Sequence, residues 1–380
     1  VSEAARAAQG AQELRPGEAG HAARPGAGAA GERALVAMSG GVDSSVAAAL
    51  AVERGYEAVA VTLHLAGGAS RCCSLDDAED ARRVAHGLGI RFFVANRTEA
   101  FRREVMEPFA DAYLSGRTPI PCVVCNKRFK FGDLLARARA FGASLLVTGH
   151  YARVDRDPAS GRWRLRQARD PAKDQSYFLF QLGQAELARV WFPLGELTKA
   201  EVRERARALG LATADKPESH EICFVPDGDY GRVVERLRPD ARREGALVDE
   251  AGRELGRHRG VHRYTVGQRR GLGLAAGRRL YVTEIDAGAG RVLVGPPEEL
   301  ERRELRLEGV SWVAGEPPAA PLRARVRIRY RHAGAPARVE PGPEATARVH
   351  FDAPVQAATP GQAAVFYQGD AVAGGGWIAR

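Results

Sequence analysis

The chain has 380 residues, 45% hydrophobic and 27% charged, a balance that suits two or three globular domains and excludes a fibrous or wholly disordered protein. The formal net charge of +9 suits an RNA or other polyanionic partner, although the arginines are spread along the chain and a general arginine bias yields the same excess. No apolar run is long enough to cross a membrane, and five cysteines, an odd number in so long a chain, argue against a disulfide scaffold and for a reducing, cytoplasmic setting.

Residues 1–31 are rich in Ala, Gly, Arg and Glu without periodicity and are expected to be a disordered extension. Strands and helices then alternate. Ala34–Met38 reads as a buried strand, Val46–Arg54 as a helix stopped by Gly55, and Glu57–Leu65 as a second strand. Ser74-Leu75-Asp76-Asp77 offers an N-cap and an acidic first turn to a helix running to Leu88 and closed by Gly89, Ile90–Ala95 is a strand, and Glu99–Leu114 is a long helix kinked at Pro108. Asn126–Phe141 is helical, and Leu145–Thr148 is a strand ending at Gly149-His150. The alternation predicts an α/β fold with a doubly wound parallel sheet over 32–217, whose ligands bind beyond the carboxyl ends of the strands. Gly40, Gly149 and the region of Leu63 are all strand ends and would share one nucleotide pocket. Thr198-Lys199-Ala200-Glu201 is a capping box for a helix reaching Leu209. After Pro226 short β-rich runs take over, at Arg278–Ile285 and Arg291–Val294, then at Arg323–Tyr330, Ala345–Phe351 and Ala363–Tyr367. They predict a small central domain over 218–300, with Cys223 near its start, and a C-terminal antiparallel β-barrel over 301–380.

Two groups of residues carry chemistry. Ser39-Gly40-Gly41-Val42-Asp43-Ser44-Ser45 lies on a strand-to-helix turn, where backbone N–H groups and the helix dipole favour an anion and glycine lets a phosphate approach. It lacks the G-x-x-x-x-G-K-[ST] pattern of a Walker loop. The second group is cysteine. Cys122 and Cys125 follow Thr118-Pro119-Ile120-Pro121, read as a loop, with Asn126 as the N-cap of the next helix. A thiol there, beside Lys127 and Arg128, is expected to have a lowered pKa. Cys223 has Lys216 and His220 nearby. Three readings stay open: persulfide transfer between two cysteines; a metal centre, either zinc on Cys122, Cys125, His220 and Cys223 or an iron–sulfur cluster on Cys122, Cys125 and Cys223; and buried apolar thiols. The pair Cys72-Cys73 reads as structural or incidental.

The Ser39–Ser44 turn resembles the SGGxDS signature of the PP-loop ATP pyrophosphatases. It is followed in order by Cys125-Asn126-Lys127, Thr148-Gly149-His150-Tyr151-Ala152, Lys173-Asp174-Gln175-Ser176-Tyr177-Phe178, Ser219-His220-Glu221-Ile222-Cys223-Phe224, Thr265–Gly273 and Arg329-Tyr330-Arg331. The ordered set, spanning about residues 33–380, resembles the bacterial tRNA-specific 2-thiouridylase family. That resemblance implies adenylation of the uracil C2 oxygen at the wobble position (U34) of tRNA by Mg-ATP, then displacement of AMP by a persulfide sulfur supplied by a cysteine desulfurase or a relay protein. It implies Cys223 as the persulfide carrier and Cys125 as the second catalytic cysteine, the two forming a transient disulfide. It implies ATP contacts from Ala37, Met38, Ser39, Gly40, Gly41, Val42, Asp43, Ser44, Leu63 and Gly149. Contacts to the tRNA anticodon loop would come from His150, Lys173, Asp174, Gln175, Arg329, Tyr330 and Gln368. Each has a plainer reading: Leu63 as core, His150 as a satisfied strand-end histidine, Asp174 as the cap of a Gln175–Gln181 helix, Arg329 as one arginine on an exposed strand face. Where many family members carry Asn-Pro-Asp, this chain has Ile120-Pro121-Cys122, so a carboxylate base is missing there and Cys122 stands in its place. The rivals are a PP-loop amide-forming enzyme, which needs no reactive cysteine pair, and a non-catalytic RNA-binding module holding zinc.

Overall fold

The computed structural model describes residues 31–66, 74–218, 222–274 and 277–379. The expected extension up to residue 30, Cys72-Cys73 and Ser219-His220-Glu221 lie outside the described residues. The N-terminal unit holds β1 (Arg33–Ala37), β2 (Glu57–His64), β3 (Arg91–Asn96), β4 (Leu145–Thr148), β5 (Arg153–Arg156), β6 (Trp163–Arg166) and β7 (Val190–Trp191). Five of them form a parallel sheet in the order β3-β2-β1-β4-β7. Ala34, Leu35 and Val36 are fully buried, as the continuous apolar run requires of a strand covered on both faces. The order reverses between β1 and β4, which opens a crevice at their carboxyl ends.

The first strand turns directly into helix α1 (Val42–Glu53), whose buried Ala47, Ala48 and Ala51 let it lie close on the sheet. Helix α2 (Leu75–Gly87) starts at the predicted N-cap, Ser74 Oγ accepting from Asp77 N at 3.1 Å, and the Asp77 carboxylate returns the bond to Ser74 N, which makes it a full capping box. Helix α3 (Lys199–Ala208) starts at the predicted capping box on Thr198 and Glu201. The long helix around Pro108 is not simply kinked: π-helical Arg102–Met106 is inserted between Thr98–Phe101 and Glu107–Leu114, consistent with the missing N–H of Pro108. The cysteine loop is also corrected. A helix already begins at Pro121 and runs on through π-helical Asn126–Asp133 into Leu134–Ala140. Proline suits the first helical position because its missing N–H is one of the unpaired donors there. Asn126 is therefore not an N-cap; its Nδ2 donates to the carbonyl of Phe178 at 3.2 Å.

The central unit is a small sheet, β10-β11-β8-β9, built from β8 (Gly245–Val248), β9 (Glu254–His258), β10 (Tyr281–Asp286) and β11 (Arg291–Gly295) around Leu247, Val282, Val292 and Val294. The described residues from Ile222 to Val225 pack elsewhere. Phe224 packs edge-on against Phe101 and Phe109 of the N-terminal unit, so the stretch carrying Cys223 precedes the central sheet.

The C-terminal strands are β12 (Glu301–Trp312), β13 (Leu322–Arg327), β14 (Ala335–Pro341), β15 (Ala347–Gln356), β16 (Ala363–Gln368) and β17 (Ala371–Ile378). They pair antiparallel in the order β12-β15-β14-β13-β16-β17, and β12 pairs back to β17, which closes a six-stranded barrel. The β5–β6 hairpin of the N-terminal unit adds to this barrel through β17, Leu165 standing opposite Val372. Sequence reading missed that hairpin, whose short strands hold alternating arginines. Asp370 at the β16–β17 turn accepts from Arg153 and Arg166 of the hairpin. Beside it Asp174, 2% exposed, pairs with Arg327 of β13, 12% exposed, at 3.1 Å.

Removing one partner of such a buried pair strands the other charge. Asp174→Ala is expected to lower the free energy of urea unfolding by about 3 kcal/mol, whereas truncating the exposed Asp352 partner of Arg323 is expected to leave it unchanged.

Candidate active site

Beyond β1 the chain makes a tight turn held by its own hydroxyls. Met38 N donates to Val61 O, and Thr62 Oγ1 donates to Met38 O at 2.8 Å. Ser39 N donates to Ser44 Oγ at 3.0 Å, while the Ser44 and Ser45 hydroxyls donate to the Gly41 carbonyl. Thr213 Oγ1 then donates to Ser45 Oγ. Gly40 sits at φ +72°, and a Cβ there would stand 2.1 Å from the carbonyl oxygen of Asp77. Gly149, at the end of β4, is as constrained: its Cβ would stand 2.8 Å from the backbone of Asp43 and Ser44. Gly41 is different, for its Cβ would meet nothing closer than Ser39 Oγ at 3.7 Å. Gly41 is the N-cap residue of α1 and makes no side-chain cap. The predicted residues Ala37 to Ser44 and Gly149 thus meet at the β1–β4 crevice, where the start of α1 presents N–H groups suited to phosphate oxygens. Leu63 is buried in the core.

A ring of charge surrounds the turn. Asp43 Oδ1 accepts from Tyr151 Oη at 2.8 Å and from Lys199 Nζ at 2.7 Å. Lys199 also pairs with Glu218 Oε1 at 3.0 Å, and Lys173 pairs with the other oxygen of Glu218. Burial opposes ionisation of Glu218, but the hydrogen bonds from Lys173 and Lys199 outweigh it and hold the carboxyl at about 2. Lys216 Nζ spends its three protons on the Gly40 carbonyl, Asp77 Oδ1 and Asp80 Oδ2, at 3.0, 2.8 and 2.6 Å. Burial pulls the Lys216 pKa down, and its two carboxylate partners outweigh that and raise it. Burial, then the nearby Asp43 charge, push the Tyr151 pKa up. Sequence reading gives Tyr151 and Glu218 no role of their own, takes Lys199 as part of a cap, and sees Lys216 only as a neighbour of Cys223. Their partners lie far away in the chain, so no local pattern marks them.

The cysteines differ in setting. Cys122 is exposed, Cys125 buried and Cys223 half-buried. Cys125 belongs to the apolar cluster against which Cys223 packs. Phe224, Phe101 and Phe129 connect the two segments ring to ring, with centroids 5.8 and 5.6 Å apart. Lys127, expected to acidify a thiol, is paired with Glu186 at 2.7 Å. Among the described residues no three His, Cys, Asp or Glu side chains are grouped as metal ligands, so Cys122, Cys125 and Cys223 are not gathered as a cluster site; His220 of the zinc reading lies outside them.

The residues expected on the RNA side are scattered in exposure. His150 is buried between Phe131 and Phe192 with Nδ1 2.7 Å from Thr148 Oγ1, and burial, then the Lys130 charge, hold its pKa well down. Asp174 does not cap a helix: its Oδ1 accepts from Ser176 N at 3.1 Å ahead of a 3-10 turn, Ser176–Leu179, whose N-cap is Gln175, and Gln175 Oε1 accepts from Tyr151 N. Arg329 and Tyr330 follow β13 in a turn, where a strand was expected; Arg329 donates to Gln356 O, and the Tyr330 ring lies tilted against Phe178 with centroids 4.6 Å apart. Gln368 is exposed beside a barrel groove lined by Arg323, Arg325 and Tyr367.

Comparison with known proteins decides the family. A family model described as "tRNA methyl transferase HUP domain" matches residues 32–227, "tRNA methyl transferase PRC-barrel domain" matches 233–296, and "Aminomethyltransferase beta-barrel domain" matches 302–378. A tRNA-specific 2-thiouridylase MnmA of Roseiflexus sp. is 51% identical over 368 residues, covering 91% of this chain and 99% of that protein. That of Magnetococcus marinus is 48% identical over 354 residues, with the same coverages. The chain belongs to the tRNA-specific 2-thiouridylase family. The parallel sheet, central domain and C-terminal barrel expected from that family are all present. No helix among the described residues is long and apolar enough to cross a membrane.

Gly40→Ala is expected to abolish nucleotide binding in a calorimetric titration, because its Cβ collides with the Asp77 carbonyl, while Gly41→Ala has room for its methyl group and retains binding. Glu218 has a folded pKa of about 2 against an ordinary 4.5, so its contribution is complete above pH 4.5 and is lost as pH falls towards 2. Glu218→Gln is expected to flatten the stability profile in that window, read by chemical unfolding at stepped pH.

Proposed function

We propose that this chain is an ATP-dependent tRNA sulfurtransferase that converts the wobble uridine, U34, to 2-thiouridine. The near-full-length likeness to tRNA-specific 2-thiouridylases carries the reading, and the hydroxyl-held glycine turn supports ATP as the activating substrate. The uracil C2 carbonyl is a poor electrophile with an oxygen that leaves badly. Attack of that oxygen on the α-phosphate of ATP makes an adenylate and releases pyrophosphate. The start of α1 and the serines of the turn would bind the phosphate oxygens. Asp43 offers the hard carboxylate oxygen that Mg²⁺ prefers, and the ion bound there would neutralise the departing pyrophosphate.

The terminal sulfur of a Cys223 persulfide then adds to C2 and AMP leaves. Cys125 attacks Sγ of Cys223, the sulfur–sulfur bond breaks towards the base, and a Cys125–Cys223 disulfide forms, to be reduced by external thiols. A cysteine desulfurase or relay protein supplies the persulfide. The shared packing of both cysteine segments on one apolar cluster supports this pairing. A thiolate-type nucleophile facing an adenylate needs no strong base, which accommodates Cys122 where many relatives carry aspartate. The anticodon loop would lie along Lys173, Gln175, Arg329, Tyr330 and Gln368, with the target base drawn out of its stack. A tRNA substrate supports a cytoplasmic location.

The test is an end-point assay with Mg-ATP, a persulfide source and unmodified tRNA carrying U34, digested and read by mass spectrometry. Wild type is expected to yield 2-thiouridine and Cys223→Ser none. Product from both would reject the persulfide role.

A further inference from the structure

Two lysines contact the nucleotide turn in different ways. Lys216 is committed: its three protons go to Gly40 O, Asp77 and Asp80, and it holds the turn against α2. Lys199 is placed otherwise. Its side chain is 11% exposed, and its ammonium rests on Asp43, the second residue of α1, and on Glu218. Both acceptors are carboxylates, and Glu218 is also within 3.5 Å of Arg203 and paired with Lys173, so it has cations to spare. A triphosphate entering over the start of α1 brings three or more negative charges beside the Asp43 carboxylate. An ammonium already seated on that carboxylate can exchange Glu218 for phosphate oxygens by a small rotation of its stem, leaving Glu218 neutralised by Lys173 and Arg203.

We propose that Lys199 is a binding residue for the β- and γ-phosphates of ATP, held ready by Glu218, a reading that rests on the ATP assignment of the turn. Glu218 is then a positioning residue that competes with the nucleotide for the same ammonium. The competition gives the two residues opposite signs: losing Lys199 removes a phosphate ligand, while neutralising Glu218 releases Lys199 to the phosphates. A merely structural ion pair gives both substitutions the same sign.

The experiment is calorimetric titration of the full chain with Mg-α,β-methylene-ATP and, separately, with AMP. Lys199→Met is expected to weaken the triphosphate analogue by about tenfold to a hundredfold, the usual loss of a charged hydrogen bond, and to leave AMP within about twofold. Lys199→Arg restores most of the affinity, and Glu218→Gln tightens the analogue while leaving AMP unchanged. Equal losses for analogue and AMP in Lys199→Met, no loss in either, or weaker analogue binding in Glu218→Gln would each overturn the proposal. A wild-type protein that binds neither ligand would remove the ATP assignment itself, and the role of Lys199 with it.

Discussion

The nucleotide turn depends on a contact of backbone against backbone. The carbonyl of Asp77 fills the space that a side chain on Gly40 would need, and the first turn of α1 fills the space beside Gly149. These two close approaches fix the turn between two helices and the end of β4. Lys216 then ties the carbonyl of Gly40 to Asp77 and Asp80, which joins the loop and α2 to the stretch that carries Lys216. Asp77 does double duty here, since the same carboxylate closes the capping box of α2 with Ser74. A phosphate site assembled this way needs little rearrangement when the nucleotide arrives, which is how fixed dipoles become worth more than water.

The three units of the chain are joined through polar contacts that also touch the site. The β5–β6 hairpin leaves the nucleotide unit to become part of the barrel sheet, and Asp174 lies under it with Arg327. Phe178 connects two functional neighbourhoods. Its carbonyl accepts from Asn126, next to Cys125, and its ring packs at a tilt against Tyr330 of the barrel. Phe178 therefore joins the barrel to the helix that carries the buried cysteine. Lys173 and Glu218 make a similar link between the segment expected to meet RNA and the lysine on the ATP turn.

Much of this was legible in the sequence, and the gaps have physical causes. Strong local signals survived folding: the caps at Ser74 and Thr198, the apolar run before Ser39, the glycine stops at Gly55 and Gly89, and the alternation in the barrel strands. The cysteine loop was misread because Pro119 and Pro121 were taken as loop markers, although Pro121 stands where a helix accepts proline. Arg329 and Tyr330 were drawn into a strand by an alternation that continues past the last ladder pair. The charge ring was invisible because Lys199, Lys216 and Glu218 find Asp43 and Asp77 only through tertiary packing. The β5–β6 hairpin escaped because its pairing partner, β17, lies at the far end of the chain.

The central claim is that sulfur passes from a Cys223 persulfide to a uridine activated by ATP, and that Cys125 releases it by forming a disulfide with Cys223. Cys122 offers a competing partner for Cys125 within the same helical turn, so the identity of the disulfide is the most direct readout. A single turnover with Mg-ATP, a persulfide donor and U34 tRNA, quenched with a thiol-blocking reagent and mapped by peptide mass spectrometry, resolves it. The account predicts a Cys125–Cys223 disulfide that appears only when ATP and tRNA are both present. A dominant Cys122–Cys125 disulfide, or a Cys125–Cys223 disulfide independent of ATP and tRNA, would contradict it.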